Sequence, residues 1–442
     1  MSELNSGTRP SPSAALLALC LALTGAASMT YYHLHLFIPR AMAARTAQGL
    51  GNGYAFGNDF YPIWLTTRQW RIEHRDPYSP EMTREIQAGL FGRALDARNP
   101  ADPPINYREY AYPAFTNLLL WPMSYQEFTK LRVALAAFLL VLTAASIRFW
   151  TLAMHWRLHP LWFAVLAVLS LGNYPVLEAL FVEQPGLIVG FLLAGSILAI
   201  RRNWPLLGGA LLSLTLIKPQ MTILAAIYLL LWSLADRRRA RFCAGFFATT
   251  LLLVGASLWI WPHWIAQWTN VLLGYHNYAT PTLVALLPGE TLGAYIGPVA
   301  VAALLGVSLG LAWRYRHANV DSPRFWMTLS LLLAITSITL LPGQAVYDHI
   351  ILAPGIFLLV QYRRALHHAG RMPRTFLMVG TVVLSWQWLA AFAVTVVYLS
   401  SGHLGSIALA LPIRTAAPLP FAVLALLVVA SRINLLETAE PS

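Results

Sequence analysis

Six side chains suited to acid–base chemistry or anion binding lie beside long apolar segments: Asp59, Glu183, Gln184, Lys218, Asp348 and His349. A carboxylate such as Asp59 can act as a general base and remove a proton from a hydroxyl group, which typically accelerates a reaction about 10²–10⁴-fold. A lysine such as Lys218 can neutralise a phosphate group. These residue types indicate a site where a hydroxyl group is activated near a bound anion.

Asp59 lies just ahead of an aromatic stretch that contains Trp64 and Trp70. Such a stretch suits a helix in the membrane interface, with its aromatic rings at the depth of the lipid headgroups. Asp59 is therefore a candidate base at the edge of the membrane. The alternative is that Asp59 is the N-cap of the helix that follows it. The sequence leaves both roles open.

Lys218 is one of only two lysines among the 30 Lys and Arg residues of the chain. An unpaired lysine costs roughly 2.5–3.5 kcal/mol at the centre of a bilayer and less near its surface. A phosphate group on a lipid-linked substrate would be a suitable partner. The alternative is a lysine at a helix end whose ammonium group reaches back to the membrane surface.

The other four candidates also have both functional and structural interpretations. Asp348 and His349 suit an orienting pair, a second base or a sugar-binding pair, and equally a structural ion pair of Asp348 with Lys218 or with a loop arginine. Glu183 and Gln184 can hydrogen-bond a sugar or a phosphate. A glutamine at the start of a helix is often only a cap.

The composition indicates a helical membrane protein. The 442 residues are 57% hydrophobic and only 11% charged, and apolar stretches of roughly 17–25 residues recur, long enough to cross a bilayer as helices. We predict about 12 transmembrane helices in a single integral membrane domain, 1–442. The net charge of +12 lies mostly in short turns. Nucleic-acid binding is therefore not expected, and anionic membrane lipids are the expected partners of these turns.

Arginine clusters fix the orientation of the chain. They recur between apolar runs, near Arg157, Arg201, Arg237, Arg314, Arg363 and Arg432. The positive-inside rule places these turns in the cytoplasm. The six candidate residues then lie toward the outer side of what we take to be a bacterial cytoplasmic membrane.

The N-terminal part divides into an apolar segment and a polar loop. Residues 13–33 form a first transmembrane helix or signal anchor, with a cleaved signal peptide as the alternative. Residues 39–110 form an extracytoplasmic loop with amphipathic helices, and residues 111–430 contain the remaining spans. In the loop, Ser79 is a predicted N-cap, and Met82, Ile86 and Leu90 recur at helical spacing.

The position of Lys218 indicates a cavity. The chain must cross the membrane and return between Arg202 and Arg237. Each of the two crossing segments, or arms, is then about 14–17 residues long. Such an arm spans roughly 21–25 Å, against a hydrocarbon core of about 30 Å. Lys218 should therefore lie below the outer surface, where irregular backbone is tolerated only beside protein or a wet cavity.

Motifs for metal and nucleotide chemistry are absent. The chain has no Asp-x-Asp pair, no His-Glu-x-x-His motif and no phosphate-binding loop that ends in Gly-Lys-Ser/Thr. Cys20 and Cys243 are too few for a metal site. We expect no metal ion and no cofactor.

In these features the chain resembles glycosyltransferase family 87, the polyprenyl-phosphate-mannose-dependent mannosyltransferases of the GT-C type. The resemblance rests on motifs in order along residues 55–350: Gly57-Asn58-Asp59-Phe60, Asp76-Pro77-Tyr78, Tyr112-Pro113, Gln184, Lys218-Pro219-Gln220 and His349. The chain departs from the family at Ala114, often a proline, and at Glu183-Gln184-Pro185, where Gly-Gln-Asn is usual. These departures leave the identity of the sugar open.

The resemblance implies a GT-C-like bundle and an inverting transferase. Asp59 would be the base that activates an acceptor hydroxyl, and Lys218, helped by Gln184 or His349, would hold the charge of the departing polyprenyl phosphate. The implied partners are a polyprenyl-phosphate sugar donor and a lipid or glycan acceptor. Two alternatives stay open: a transporter or flippase of lipid-linked sugars, and an oligosaccharide ligase that uses a pyrophosphate-linked donor.

The predicted orientation can be tested by labelling single cysteines in a background without Cys20 and Cys243. We expect a membrane-impermeant maleimide to label Arg98→Cys in intact cells and to label Arg238→Cys only after the membrane is opened. The opposite pattern would reverse the orientation and place the candidate site in the cytoplasm.

Overall fold

The protein is helical throughout the part of the chain that the structure describes. The structure is a computed structural model and describes residues 12–432 except 97, 103–106, 277–278, 288–289, 344 and 415. Within these residues no β-strand is present, and the only strand-like feature is an isolated bridge between Pro281 and Pro342. The predicted class, a polytopic helical membrane protein, is confirmed.

Six helical segments in the described part of the chain are long and apolar enough to cross a membrane: Pro12–Ala47, Phe128–Ala153, Arg237–Ile260, Gly293–Arg314, Arg371–Ser401 and Ser406–Arg432. The last segment consists of the helices Ser406–Arg414 and Leu419–Arg432 and runs over residue 415, which lies outside the described residues. The pair Pro160–Leu171 and Tyr174–Phe181, bent by 57°, makes a seventh if it counts as one span. Shorter apolar helices are Gly186–Arg201, Pro205–Ile217, Ile223–Leu234, Pro323–Thr339 and Val346–Gln361. The figure of about 12 spans stays a prediction, because length alone does not show that the shorter helices cross a membrane.

The first helix is longer than residues 13–33. It continues to Ala47 through a wider turn of π-helix, Tyr32–Phe37. This turn ends two residues before Pro39, which has no backbone N–H to donate. Wider turns are a common way to fit such a break in the hydrogen-bond ladder. Met29, Tyr32 and Leu36 of this helix are buried in a hydrophobic cluster of the core.

The segment predicted to be extracytoplasmic, which we call the outer loop, contains two helices, Tyr61–Glu73 and Pro80–Phe91. The Ser79 hydroxyl accepts a hydrogen bond from the Met82 backbone N–H at 3.2 Å, so the predicted cap is confirmed. Met82, Ile86 and Leu90 are buried, which confirms the amphipathic face.

An ion pair closes the end of this loop. Arg93 donates to both carboxylate oxygens of Asp102, at 2.6 and 2.8 Å. These bonds lower the pKa of Asp102 to about 2. A lowered carboxyl pKa means that the pair contributes to stability above the ordinary value and loses this contribution as the pH falls toward 2.

Short helices surround a fully enclosed one. In Pro323–Thr339 every residue from Phe325 to Thr339 is buried, so this helix has neighbours on all sides. The helices Ile223–Leu234, Ala353–Gln361 and Leu419–Arg432 are among those that pack against it. Several short segments thus end within the bundle, where polar side chains from different parts of the sequence can meet.

Glycine allows one helix pair to come into close contact. Helices Pro205–Leu214 and Ala240–Ile260 pack together along much of their length. A Cβ atom at Gly209 would overlap the carbonyl oxygen of Phe242, and one at Gly245 would overlap that of Leu206. The two backbones can approach this closely only because both positions are glycine.

Gly209→Ala should destabilise the protein by about 1–3 kcal/mol, because the added methyl group must push two backbones apart. Thermal unfolding of the detergent-solubilised protein measures the loss. Gly306→Ala is the matched control, since a Cβ atom there meets nothing within 4 Å, and we expect a change within about 0.5 kcal/mol. Equal unfolding temperatures for native protein and Gly209→Ala would contradict the close packing.

Candidate active site

Asp59 is fixed by its backbone as well as by its side chain. The N–H of Gly57 donates to the carbonyl oxygen of Phe181 at 2.9 Å, and the N–H of Asp59 donates to that of Val182 at 3.1 Å. The outer loop is thereby attached to the turn that precedes Gln184. The tertiary fold, rather than the loop itself, sets the position of the carboxylate.

The Asp59 carboxylate accepts one hydrogen bond on each oxygen. Arg108 Nη1 donates to Oδ1 at 2.7 Å, and Gln184 Nε2 donates to Oδ2 at 2.8 Å. The N-cap of the following helix is Phe60, with no side-chain cap, so the interpretation of Asp59 as a cap is wrong. Because a carboxylate oxygen has two lone pairs, each oxygen can still accept a hydrogen bond from a substrate hydroxyl.

Gln184 connects Asp59 to the lysine. Its Oε1 atom accepts from Lys218 Nζ at 3.1 Å and from the Tyr112 hydroxyl at 3.4 Å. The side chain is buried, just before the helix Gly186–Arg201. Gln184 thus uses its amide nitrogen on the carboxylate and its amide oxygen on the cation.

Lys218 lies inside the protein and is paired. Its Nζ contacts Asp348 Oδ1 at 2.6 Å and Oδ2 at 2.7 Å, with exposures of 7% for Lys218 and 1% for Asp348. The ring of Tyr347 lies 5.2 Å from the ammonium group. The structural ion pair foreseen for Asp348 is present, and the interpretation of Lys218 as a lysine that reaches the surface is wrong.

The local chain explains why a lysine can lie there. Lys218 separates two short 3₁₀ turns, Thr215–Ile217 and Pro219–Met221, and its extended φ of −140° ends the helical path. Pro219 cannot donate a backbone hydrogen bond. The short crossing segments on either side of Lys218 predict irregular backbone at this point, and the structure shows it.

The polar groups form one continuous chain. In order it runs through Arg108, Asp59, Gln184, Lys218 and Asp348. Two cations and two carboxylates balance, and a neutral amide links the two ion pairs. The Asp59 carboxylate and the Lys218 ammonium group are thus separated by a single amide side chain.

Glu183 and His349 are near this chain in sequence but do not join it by a hydrogen bond. Both are buried, and within the described residues neither Glu183 carboxylate oxygen nor either His349 nitrogen has a hydrogen-bond partner. Glu183 packs against Gly57, where a Cβ atom would lie 2.7 Å from Glu183 Oε2. Gly57 has a φ of +80° as well, so glycine is required there on both counts.

Sequence reasoning missed Arg108. It is one of several arginines of the outer loop, and no spacing distinguishes it. Its backbone is left-handed, with a φ of +54°, and its side chain reaches across 49 positions of sequence to Asp59. Tyr112 belongs to the Tyr-Pro pair noted above, but its contact with Gln184 becomes visible only in the fold.

Among the described residues, no group of three or more His, Cys, Asp and Glu side chains is placed to hold a metal ion.

The fold and the site define a polytopic helical membrane protein with a buried acid–base network. The sequence profile of glycosyltransferase family 87 matches residues 110–342, just over half of the chain, and the protein belongs to this family. It is a membrane glycosyltransferase. Searches of curated proteins and of solved structures found no match to the chain.

The family match covers only part of the site. Glu183, Gln184 and Lys218 lie within the matched residues, and Asp59 and Asp348 lie outside them. The structure joins both carboxylates to the matched part through direct hydrogen bonds.

Removing one partner of the buried ion pair should destabilise the protein more than removing both. Lys218→Met leaves the Asp348 carboxylate unpaired, and we expect a loss of about 3–5 kcal/mol. Adding Asp348→Leu should restore most of the stability and none of the activity. The readouts are thermal unfolding in detergent and sugar transfer.

The other lysine supplies the control for this prediction. Lys130 is exposed, so Lys130→Met should behave like the native protein. A Lys218→Met protein as stable as the native one would show that the ion pair has no structural role.

Proposed function

We propose that the protein transfers a sugar, mannose or a related hexose, from a polyprenyl-phosphate donor to an acceptor hydroxyl at the outer face of the bacterial cytoplasmic membrane. The observation that carries the proposal is the hydrogen-bonded sequence from Asp59 through Gln184 to Lys218. It supplies a base for the attacking hydroxyl and a cation for the leaving phosphate within one network.

The reaction follows from these groups. Asp59 takes the proton of the acceptor hydroxyl while the acceptor oxygen forms a bond to the anomeric carbon. The bond from that carbon to the phosphate oxygen breaks, and its electron pair leaves with the polyprenyl phosphate. A single displacement from the face opposite the leaving group inverts the anomeric configuration.

Lys218 and Arg108 are the groups that stabilise the departing charge. Lys218 already contacts Gln184 and Asp348, so it must exchange its contact with Gln184 for a phosphate oxygen when the donor binds. Arg108 is partly exposed, at 30% of its side chain, and is the second cation beside Asp59. Fixed donors placed where charge develops contribute strongly in a water-poor site.

Asp348 positions Lys218 in this proposal. Both carboxylate oxygens contact the ammonium group, which restricts where its remaining hydrogen can point. His349 and Glu183 are buried groups that border the site. We propose a sugar hydroxyl as the partner of Glu183, and a donor phosphate or sugar hydroxyl as the partner of His349.

Sugar transfer in isolated membranes tests the base. With radiolabelled polyprenyl-phosphate mannose and extracted host glycolipids, Asp59→Asn should lower the rate at least about 10²-fold, because the amide cannot take up the proton. Protein levels should not change. Asp96→Asn is the control, since Asp96 is an exposed carboxylate of the same outer loop, and it should retain the native rate.

The same assay separates the alternatives. Equal transfer by native protein and Asp59→Asn would remove Asp59 from the mechanism. Transfer only from pyrophosphate-linked donors would identify a ligase. Movement of lipid-linked sugars across vesicles without transfer would favour a flippase.

A further inference from the structure

A cavity in the outer part of the protein has no role in the reaction described above. Its volume is about 300 Å³, at the lower end of the range for small-molecule sites. It lies between the outer helix Pro80–Phe91, the segment 107–110 and the helix Trp264–His276.

Hydrogen bonds hold the walls of this cavity in place. The Tyr78 hydroxyl donates to the carbonyl oxygen of Tyr112 at 2.7 Å. Gln87 Nε2 donates to that of Tyr107 at 2.8 Å, and Gln87 Oε1 accepts from the Leu95 N–H at 2.9 Å. Residues used in this way are structural, and the cavity is formed before any ligand binds.

Other polar groups that line the cavity have no partner within the described residues. They are the Glu109 carboxylate, the Tyr107 hydroxyl and the Thr83 hydroxyl. None of them makes a hydrogen bond or an ion pair to another described residue, and all three side chains are partly buried. Burial also raises the pKa of Glu109, so a partner for this carboxylate would be favourable.

The chemistry of the lining favours a neutral sugar. Aromatic faces of Tyr78 and Tyr107 can cover the apolar face of a sugar ring, and a carboxylate and two hydroxyls can bond its hydroxyl groups. The lone cation of the lining, Arg84, is already paired with Glu81. An unpaired carboxylate repels a phosphate or a lipid headgroup phosphate.

The cavity is connected to the acid–base network by the backbone. Arg108 lies between Tyr107 and Glu109, and its side chain donates to Asp59. Tyr78, on the cavity wall, holds the carbonyl of Tyr112, whose own hydroxyl reaches Gln184. A group bound in the cavity is therefore held by the segment that also holds the base.

We propose that this cavity binds a sugar unit of the acceptor, so that the acceptor is a glycan or glycolipid with at least one sugar beyond the one that reacts. The inference rests on the proposed transferase function and narrows the acceptor to a carbohydrate chain.

Binding in nanodiscs tests the cavity separately from the reaction. The probes are octyl glycosides of mannose, glucose and galactose, each as monosaccharide and disaccharide, with octyl phosphate as the anionic comparison. We expect at least one disaccharide to bind about tenfold more tightly than its monosaccharide, the size of effect typical of added hydrogen bonds to a charged group. Glu109→Gln and Tyr107→Ala should each remove this preference.

The control is Glu127→Gln, an exposed outer carboxylate away from the cavity, which should keep the preference. Unfolding temperatures confirm that each variant is folded. If no disaccharide is preferred, if the preference survives both variants, or if octyl phosphate binds in their place, the inference is overturned.

Transfer kinetics keep the two proposals distinct. Where native protein transfers sugar, Glu109→Gln should raise KM for the preferred disaccharide about tenfold and leave KM for the donor unchanged. Unchanged acceptor KM with normal transfer would reject the cavity and leave the transferase intact. Disaccharide binding that depends on Glu109, without any transfer, would reject the proposed reaction and leave the cavity.

Discussion

Lys218 is enclosed by apolar helices and requires a counter-charge, which the carboxylate of Asp348 supplies. Desolvation of both ions costs several kcal/mol each, so a buried pair of this kind contributes little net stability compared with apolar residues. The contribution of the pair is instead to orient the side chains of the site. Asp348 holds Lys218 in one orientation, and Lys218 in turn holds the oxygen of Gln184. The amide nitrogen of Gln184 is then directed at Asp59.

This arrangement depends on helices that end inside the bundle. Lys218 is placed by the interrupted path around Pro219, and Asp348 lies in the short 3₁₀ segment Val346–Leu352. A continuous helix through either position would use its backbone groups internally and carry these side chains elsewhere. Irregular segments inside the bundle are therefore the structural basis of the site.

The outer loop is part of the site rather than a cover for it. Backbone bonds join Gly57 and Asp59 to the turn before Gln184, and Arg108 returns from the end of the loop to the same carboxylate. The loop has its own cap at Ser79 and its own ion pair between Arg93 and Asp102. These local interactions hold the loop in place, and the same loop carries the Asp59 carboxylate and lines the cavity.

The sequence by itself determined the helical membrane class, the helix of the outer loop with its cap, and most of the polar residues of the site. Apolar length, arginine clusters and capping residues are local properties, so they can be read without the fold. Only the tertiary structure decided that Asp59 meets Gln184 and Arg108 instead of capping a helix, and that Glu183 and His349 stay outside the network. The two contacts of Asp59 join positions 49 and 125 residues apart, and the ion pair of Lys218 with Asp348 joins positions 130 residues apart. The backbone at Arg108 and Glu183 is left-handed. Neither hydrophobic periodicity nor composition encodes such geometry, because it results from how the helices and the loop pack together.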